Sequence, residues 1–266
     1  MTLILGIRCS DGIVLGADGS ATLGALGTYT ARQQSVKKLR IVRDKIVFGL
    51  SGPVGLGQLL CAGVEVADGE GALGGRVEQV AEYLRGVFWQ RIEPEMRSAI
   101  VAQQVVGSQA AAQSAICSAI LALPVAGRGE LLQFNQQGSP EITTDELPFV
   151  AIGSGQPIAD PFLAFLRRAV WCMKMPTIQD GILAAVWTLR HAIETNPGGI
   201  AEPMGIVLLR EEPGGAGFAA RELAPQELEE HREAVKDAED QLARWRDKMS
   251  LKAPTAEAAP PPPPPQ

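Results

Sequence analysis

The chain has 266 residues, 46% of them hydrophobic, and a formal net charge of −6 with no basic block. That composition supports a sizeable core and argues against nucleic acid or an anionic lipid surface as the main partner. No run approaches the roughly 18 apolar residues of a membrane span, and the N-terminus has neither a basic lead-in nor a small-residue cleavage site, so a cytoplasmic protein that meets no membrane is expected.

Residues 3–9 and 13–17 are short apolar runs separated by Ser10-Asp11-Gly12, a hairpin signal. Residues 45–51 form a third candidate strand. These runs are nearly continuous in Val, Ile and Leu, the pattern of strands buried on both faces. The period then changes: 55–67 reads as a short helix ending in the Gly-rich "DGEGALGG". Val77, Val80, Leu84, Val87, Phe88, Ile92 and Met96 recur at helical spacing. Strands are expected at 115–125, 131–135 and 148–153, helices at 158–173 and 177–195, and strands at 204–210 and 216–222. Segregated blocks of strands and helices predict an α+β fold in layers, with sheets packed together and helices outside.

From Pro225 to Lys252 the chain is charge-rich and helix-forming, and Leu228, Val235, Leu242 and Met249 recur every seven residues. A weak coiled-coil seam and an amphipathic helix docked on its own domain both fit that spacing. The "APTAEAAPPPPPPQ" that follows has the composition of a disordered polyproline II tail. The expected division is therefore 2–223, a helix at 224–252 and a tail at 253–266.

Cys9, Cys61, Cys117 and Cys172 are scattered without a CxxC pair and read as reduced core residues. The only histidines are His191 and His231, and neither lies in an HExxH or Cys/His cluster, which argues against a histidine-ligated zinc hydrolase. His191, in "AAVWTLRHAIETN", reads as a packed helix residue rather than the base of a triad.

Thr2 carries the most chemical interest. With Met1 removed, a terminal threonine holds a hydroxyl nucleophile and a free amine in one residue. The amine's reference pKa, about 7.7–8.0, suits it as general base toward that hydroxyl. The following strand would hold the nucleophile rigidly.

The stretches "TLILGIRCSDGIVLGADGSATLG" and "VKKLRIVRDKIVFGLSGPVGLGQ", with "FVAIGSGQPIA" and "IETNPGG" in the same order, resemble proteasome beta-type subunits and above all the bacterial HslV-type N-terminal threonine peptidases. A divergent bacterial branch such as the betaproteobacterial proteasome homologue is similar. The likeness spans roughly residues 2–210. It implies a four-layer αββα N-terminal-nucleophile hydrolase sandwich. By position, Thr2 matches the nucleophile, Asp18 the structural acid, Lys38 the lysine paired with that acid, Gly52 the oxyanion-hole glycine and Ser154 the serine near the threonine amine. Lys37 competes with Lys38 for the lysine's place. Leu50 and Val54 are expected to line a largely apolar first specificity pocket, and Thr22 is a further expected substrate-binding residue. The backbone carbonyls of Leu189, Ala192 and Thr195 are implied ligands of a monovalent cation, with no other cofactor. Asn196 stands where many family members carry an Asp.

The resemblance implies a self-compartmentalising threonine-type endopeptidase that degrades peptides or unfolded proteins inside stacked homo-oligomeric rings. An ATP-dependent unfoldase partner is implied only by analogy, since the chain has no GxxxxGK[ST] of its own. A catalytically weak or inactive ring-forming scaffold and a small-molecule amidase on the same fold are the alternatives.

Overall fold

The computed structural model describes residues 2–23, 32–107, 115–196, 199–215 and 217–250. Strands β1 (Ile4–Cys9), β2 (Gly12–Ala17), β3 (Ser20–Leu23), β4 (Arg32–Ser35), β5 (Leu39–Val42) and β6 (Ile46–Ser51) come first. Helices α1 (Val54–Gly69) and α2 (Val77–Val106) follow. Next come β7 (Ser118–Val125), β8 (Arg128–Phe134), β9 (Pro140–Ile142) and β10 (Phe149–Ile152), helices α3 (Gln156–Ala169) and α4 (Ile178–Thr195), strands β11 (Gly205–Glu211) and β12 (Phe218–Glu222), and α5 (Pro225–Ser250).

Two five-stranded antiparallel sheets form, ordered β10-β1-β2-β11-β12 and β5-β6-β7-β8-β9, with β3-β4 as a separate ribbon. Period-two alternation sorts the side chains between layers. Ile4, Ile13, Leu15, Val47, Ile120 and Leu131 meet between the sheets. Leu5, Ile7 and Val14 turn the other way and pack with Leu163, Ile182 and Leu189 of α3 and α4. Phe48, Leu121 and Leu132 pack with Leu60, Leu84 and Phe88 of α1 and α2. The order is helix, sheet, sheet, helix: the expected four-layer αββα arrangement. Burial on both faces of each sheet explains the nearly continuous apolar runs of β1, β2 and β6.

Helix ends follow local chemistry. At α4, the Thr177 hydroxyl accepts the Asp180 N–H while the Asp180 carboxylate accepts the Thr177 N–H, a reciprocal cap. At the end of α2, Gly107 takes the left-handed conformation (φ 68) and donates to the Gln103 carbonyl.

The short strands β3, β4, β5 and β9 were not expected from the sequence, because at three or four residues each they are too short to display a period. The structure also decides between the two readings of the C-terminal helix. Leu228, Val235 and Ala238 of α5 pack into the core beside α4, and the Trp187 indole N–H donates to Glu239 at 3.0 Å. Leu242, Trp245 and Met249, further along the same spacing, are exposed. Residues 251–266, which include the proline-rich stretch, lie outside the described residues. Cys9, Cys61 and Cys117 are buried free thiols, but Cys172 is exposed and corrects the expectation of a core residue. His191 stacks on Phe162 at 4.6 Å between ring centroids, as a packed helix histidine does.

Candidate active site

Thr2 lies two residues before the buried β1, and its backbone is held from two directions. Its N–H donates to Ser154 Oγ at 3.1 Å, and its carbonyl accepts the Gly155 N–H at 3.2 Å and the Ser154 hydroxyl at 3.4 Å. Leu3 donates its N–H to Asp18 Oδ1 at 2.8 Å and accepts the Asp18 N–H at 3.1 Å. Asp18 follows β2, which pairs with β1 in the register Ile4 to Ala17. Strand pairing therefore delivers the carboxylate to the base of Thr2.

Asp18 is buried, and its second oxygen accepts the Ser20 N–H at 3.2 Å. Lys38, just before β5, donates from Nζ to Asp18 Oδ1 at 2.7 Å and to Thr2 Oγ at 3.3 Å. Its side chain is 7% exposed. Burial lowers the Lys38 pKa below the ordinary lysine value, and the hydrogen bond and charge of Asp18 partly restore it. Lys37 points elsewhere: its ammonium meets Glu222 at 2.7 Å on an exposed surface. Between the two adjacent lysines, Lys38 is the one brought to Thr2. A cavity of about 250 Å³ opens beside this group, with Asp18, Lys38, Pro203, Met204 and Glu222 in its wall.

Three glycines sit where a side chain would have no room, Gly153 and Gly52 against backbone and Gly155 against side chains. Gly153 has φ +94, and a Cβ there would collide with the Thr2 carbonyl oxygen. A Cβ on Gly155 would lie 2.8 Å from Leu3 Cβ. Gly52 has φ +147, and a Cβ there would lie 2.7 Å from Cys117 Cβ and 2.8 Å from the Ile116 carbonyl oxygen. The "GSG" segment is therefore a fitted seat for the Thr2–Leu3 backbone, with Ser154 between its two glycines. Sequence reasoning singled out Ser154 and Gly52 and missed Gly153, Gly155 and Ser51, whose Oγ would lie 3.0 Å from a Gly153 Cβ. The repeated glycine around Ser154 was the available signal.

Leu50 at the end of β6 is half-buried against the α1 face. Gly57 of α1 sits over it, with Leu50 Cδ2 at 3.1 Å from a Cβ built there. Val54, the first residue of α1, is exposed. Thr22 lies in β3, but its side chain falls outside the described residues.

Leu189, Ala192 and Thr195, the implied carbonyl ligands of a monovalent cation, follow one another at three-residue spacing in the last turns of α4. The Ala192 carbonyl accepts the Asn196 N–H at 3.0 Å. The Thr195 hydroxyl donates to the His191 carbonyl at 2.6 Å. Among the described residues, no cluster of His, Cys, Asp and Glu side chains is arranged to hold a metal ion.

Solved structures share this architecture. A mutant of Anbu from Hyphomicrobium sp. strain MC1 is similar with a TM-score of 0.64 and 16% identity, covering 94% of this chain and 100% of that one. Anbu from Pseudomonas aeruginosa, solved as a helical assembly, is similar with a TM-score of 0.64 and 13% identity over 97% of this chain and 100% of that one. Anbu (ancestral beta-subunit) from Yersinia bercovieri gives 0.62 and 12% identity over 96% and 99%. At such identities the likeness speaks for the fold. No curated protein sequence matches the chain. The family model described as "Proteasome subunit" matches residues 2–200, which carry β1 to β10 and α1 to α4. The chain belongs to the proteasome subunit family.

Proposed function

We propose that the protein is a threonine-type endopeptidase whose nucleophile is Thr2 once the Met1–Thr2 bond has been cut. The observation that carries this reading is the continuous link from Asp18 through Lys38 to the Thr2 hydroxyl, at 2.7 and 3.3 Å. A buried carboxylate holds an ammonium against the hydroxyl of the one residue that processing would leave terminal. That arrangement has little structural purpose for an ordinary strand-edge threonine.

The chemistry follows from the placement. The freed amine would replace the present N–H beside Ser154. The Lys38 charge disfavours the protonated form of that amine and stabilises the alkoxide that develops on Oγ. As Oγ bonds to the substrate carbonyl carbon, the amine takes the hydroxyl proton. The oxyanion is met by the backbone N–H of Gly52, where the absence of a side chain leaves the approach open. The amine then gives its proton to the departing nitrogen as the peptide bond breaks. Water activated by the same amine hydrolyses the ester and regenerates Thr2.

The substrates of this reading are peptides or unfolded proteins. Copies of the chain would associate so that the sites face an enclosed space, since an open endopeptidase would be hazardous in the cytoplasm. Stacked rings are one such arrangement. The helical assembly of Pseudomonas aeruginosa Anbu is a second geometry open to similar subunits. An ATP-dependent unfoldase would supply extended substrate if one serves the assembly.

Intact-mass measurement of the purified protein is the first test, and loss of Met1 is the expected result. A peptide epoxyketone should then add once to Thr2 and fail to add to Thr2→Ala. Retention of Met1, or equal labelling of the Thr2→Ala protein, would sink the reading.

A further inference from the structure

We infer that Arg232 of α5 is a positioning residue for the chemistry at Thr2: by holding Glu202 it fixes segment 200–204 against two glycines that border the site. The inference rests on the peptidase reading and adds a helix outside the site to what shapes it. Segment 200–204 leads into β11 and touches the site twice. Ile200 is buried and packs over Gly155, where a Cβ would lie 2.6 Å from Ile200 Cδ1. The Ala201 carbonyl accepts the Gly19 N–H at 3.0 Å, and a Cβ on Gly19 would collide with the Pro203 carbonyl oxygen. Gly155 in turn donates to the Thr2 carbonyl, and Gly19 follows Asp18, whose carboxylate holds Lys38. Pro203 and Met204 also stand in the wall of the cavity beside Asp18 and Lys38. A shift of this segment therefore moves the seat of Thr2 and the Asp18–Lys38 pair together.

Helix α5 holds the segment from outside. Arg232 lies four residues after Leu228 and three before Val235, so helical spacing puts its stem on the face of α5 that packs into the core. From there Nη2 donates to Glu202 Oε2 at 2.8 Å, and the same oxygen accepts the Met204 N–H at 2.7 Å. One carboxylate thus ties the helix to the backbone of a residue that lines the cavity. Arg232 Nη1 meets Glu229 at 3.5 Å, and Nε is enclosed without a hydrogen-bond partner among the described residues. Glu202 and Glu229 border a second cavity, of about 490 Å³, with Glu194, Glu233, Arg190 and Lys236. Arg190 is engaged by Glu194 and Glu239. Without Arg232 that wall sets four carboxylates against Lys236 and the engaged Arg190, and repulsion drives Glu202 outward with Met204 attached. The side chains of Arg232 and Glu202 are 31% and 47% exposed, so the pair adds little to global stability. Its effect is on placement, where a shift of about 1 Å can cost about 10²-fold in rate.

The rate at which a peptide epoxyketone adds to Thr2 of the processed protein tests this. Arg232→Ala should label about tenfold more slowly, with the loss in the limiting rate rather than in inhibitor affinity, while Tm falls by no more than about 4 °C. The ascending limb of its pH profile should move up toward about 7.7–8.0, because Lys38 no longer stands closely against Thr2. Arg232→Lys should recover part of the rate, and Arg232→Ala combined with Glu202→Gln should be no slower than Arg232→Ala alone. Glu239→Gln weakens the Arg190–Glu239 pair, a comparably exposed tie between α4 and α5, and should label at the native rate. If Arg232→Ala does not fold, Glu202→Gln gives the same readout: slowed labelling supports the role, and the native rate overturns it. Native labelling with an unmoved pH limb in Arg232→Ala, or equal slowing in Glu239→Gln, overturns the role of Arg232 and leaves the peptidase reading standing. A native protein that does not label at Thr2 overturns the peptidase reading and this inference together.

Discussion

Gly153 lies against the carbonyl oxygen of Thr2, residues 151 positions apart in the chain, with its φ at +94. No Cβ fits between them, and Ser51 Oγ bounds the same gap at 3.0 Å from where one would stand. The seat of Thr2 is therefore a backbone-to-backbone fit between the start of β1 and the end of β10.

Gly153→Ala should disturb that seat at its tightest point. The new methyl group meets backbone rather than a flexible side chain, and the residue must also hold a left-handed φ. A loss of about 1–3 kcal/mol is expected, with epoxyketone labelling of Thr2 falling to background. Gly155→Ala meets side chains, Ile200 Cδ1 at 2.6 Å and Leu3 Cβ at 2.8 Å, and should retain more labelling. Calorimetry with intact-mass labelling reads both. Equal labelling of Gly153→Ala and the native protein would refute the role of the seat.

The two adjacent lysines make a matched pair of variants. Lys38→Ala removes the charge 3.3 Å from Thr2 Oγ and should slow acylation by about 10²–10³-fold, the cost of losing one preorganised donor. It also removes the cation paired with the buried Asp18 carboxylate, so stability should fall as well. Lys37→Ala breaks an exposed pair with Glu222 and should change stability by less than about 1 kcal/mol. Stopped labelling time courses distinguish them, and equal rates would count against Lys38.

The pH profile of kcat/KM should be bell-shaped. The Thr2 amine must be neutral to accept a proton, and the nearby ammonium lowers its pKa, so the ascending limb should lie below the reference value of about 7.7–8.0. Lys38 must be charged, and burial lowers its pKa. Its descending limb should therefore fall below the ordinary lysine value of about 10.4. A descending limb at or above that value would contradict Lys38 as the group in question.

Glu227 fastens α5 to the sheet edge. Its carboxylate takes both Arg221 nitrogens at 2.8 Å and the Ala224 N–H at 2.8 Å. The Arg221 hydrogen bonds, then the Ala224 N–H, pull its pKa down to about 2. Because the folded value is depressed, the contribution is present above the unfolded value near 4.3 and is lost as pH falls through about 2. Glu227→Ala should cost about 1 kcal/mol at neutral pH and increase proteolysis within α5. The difference in Tm between variant and native protein should shrink as pH drops from 5 toward 2. A constant difference across that range would show that the carboxylate charge is not what holds the helix.

Much of the architecture was legible in the sequence. The continuous apolar runs of β1, β2 and β6 announced burial on both faces, and the helical spacing from Val77 to Met96 announced the α2 core stripe. The strands β3, β4, β5 and β9 were not legible, since they are too short to display a period. The spacing of Leu228, Val235, Leu242 and Met249 fitted two structures equally. A heptad reports which residues share a face and says nothing about what covers it. Only the packing of Val235 beside α4 decided the matter.

The sequence by itself determined what is encoded locally: a threonine with its hydroxyl next to the first buried strand, the periods of strands and helices, and a glycine pair around Ser154. The tertiary structure alone decided what depends on strand pairing and register. It brought Lys38 rather than Lys37 to Asp18 and seated Thr2 on Gly153 and Gly155. The reason is geometric. Adjacent residues in an extended chain point to opposite faces, so a one-residue choice reverses every contact, and no local pattern carries the register that makes the choice.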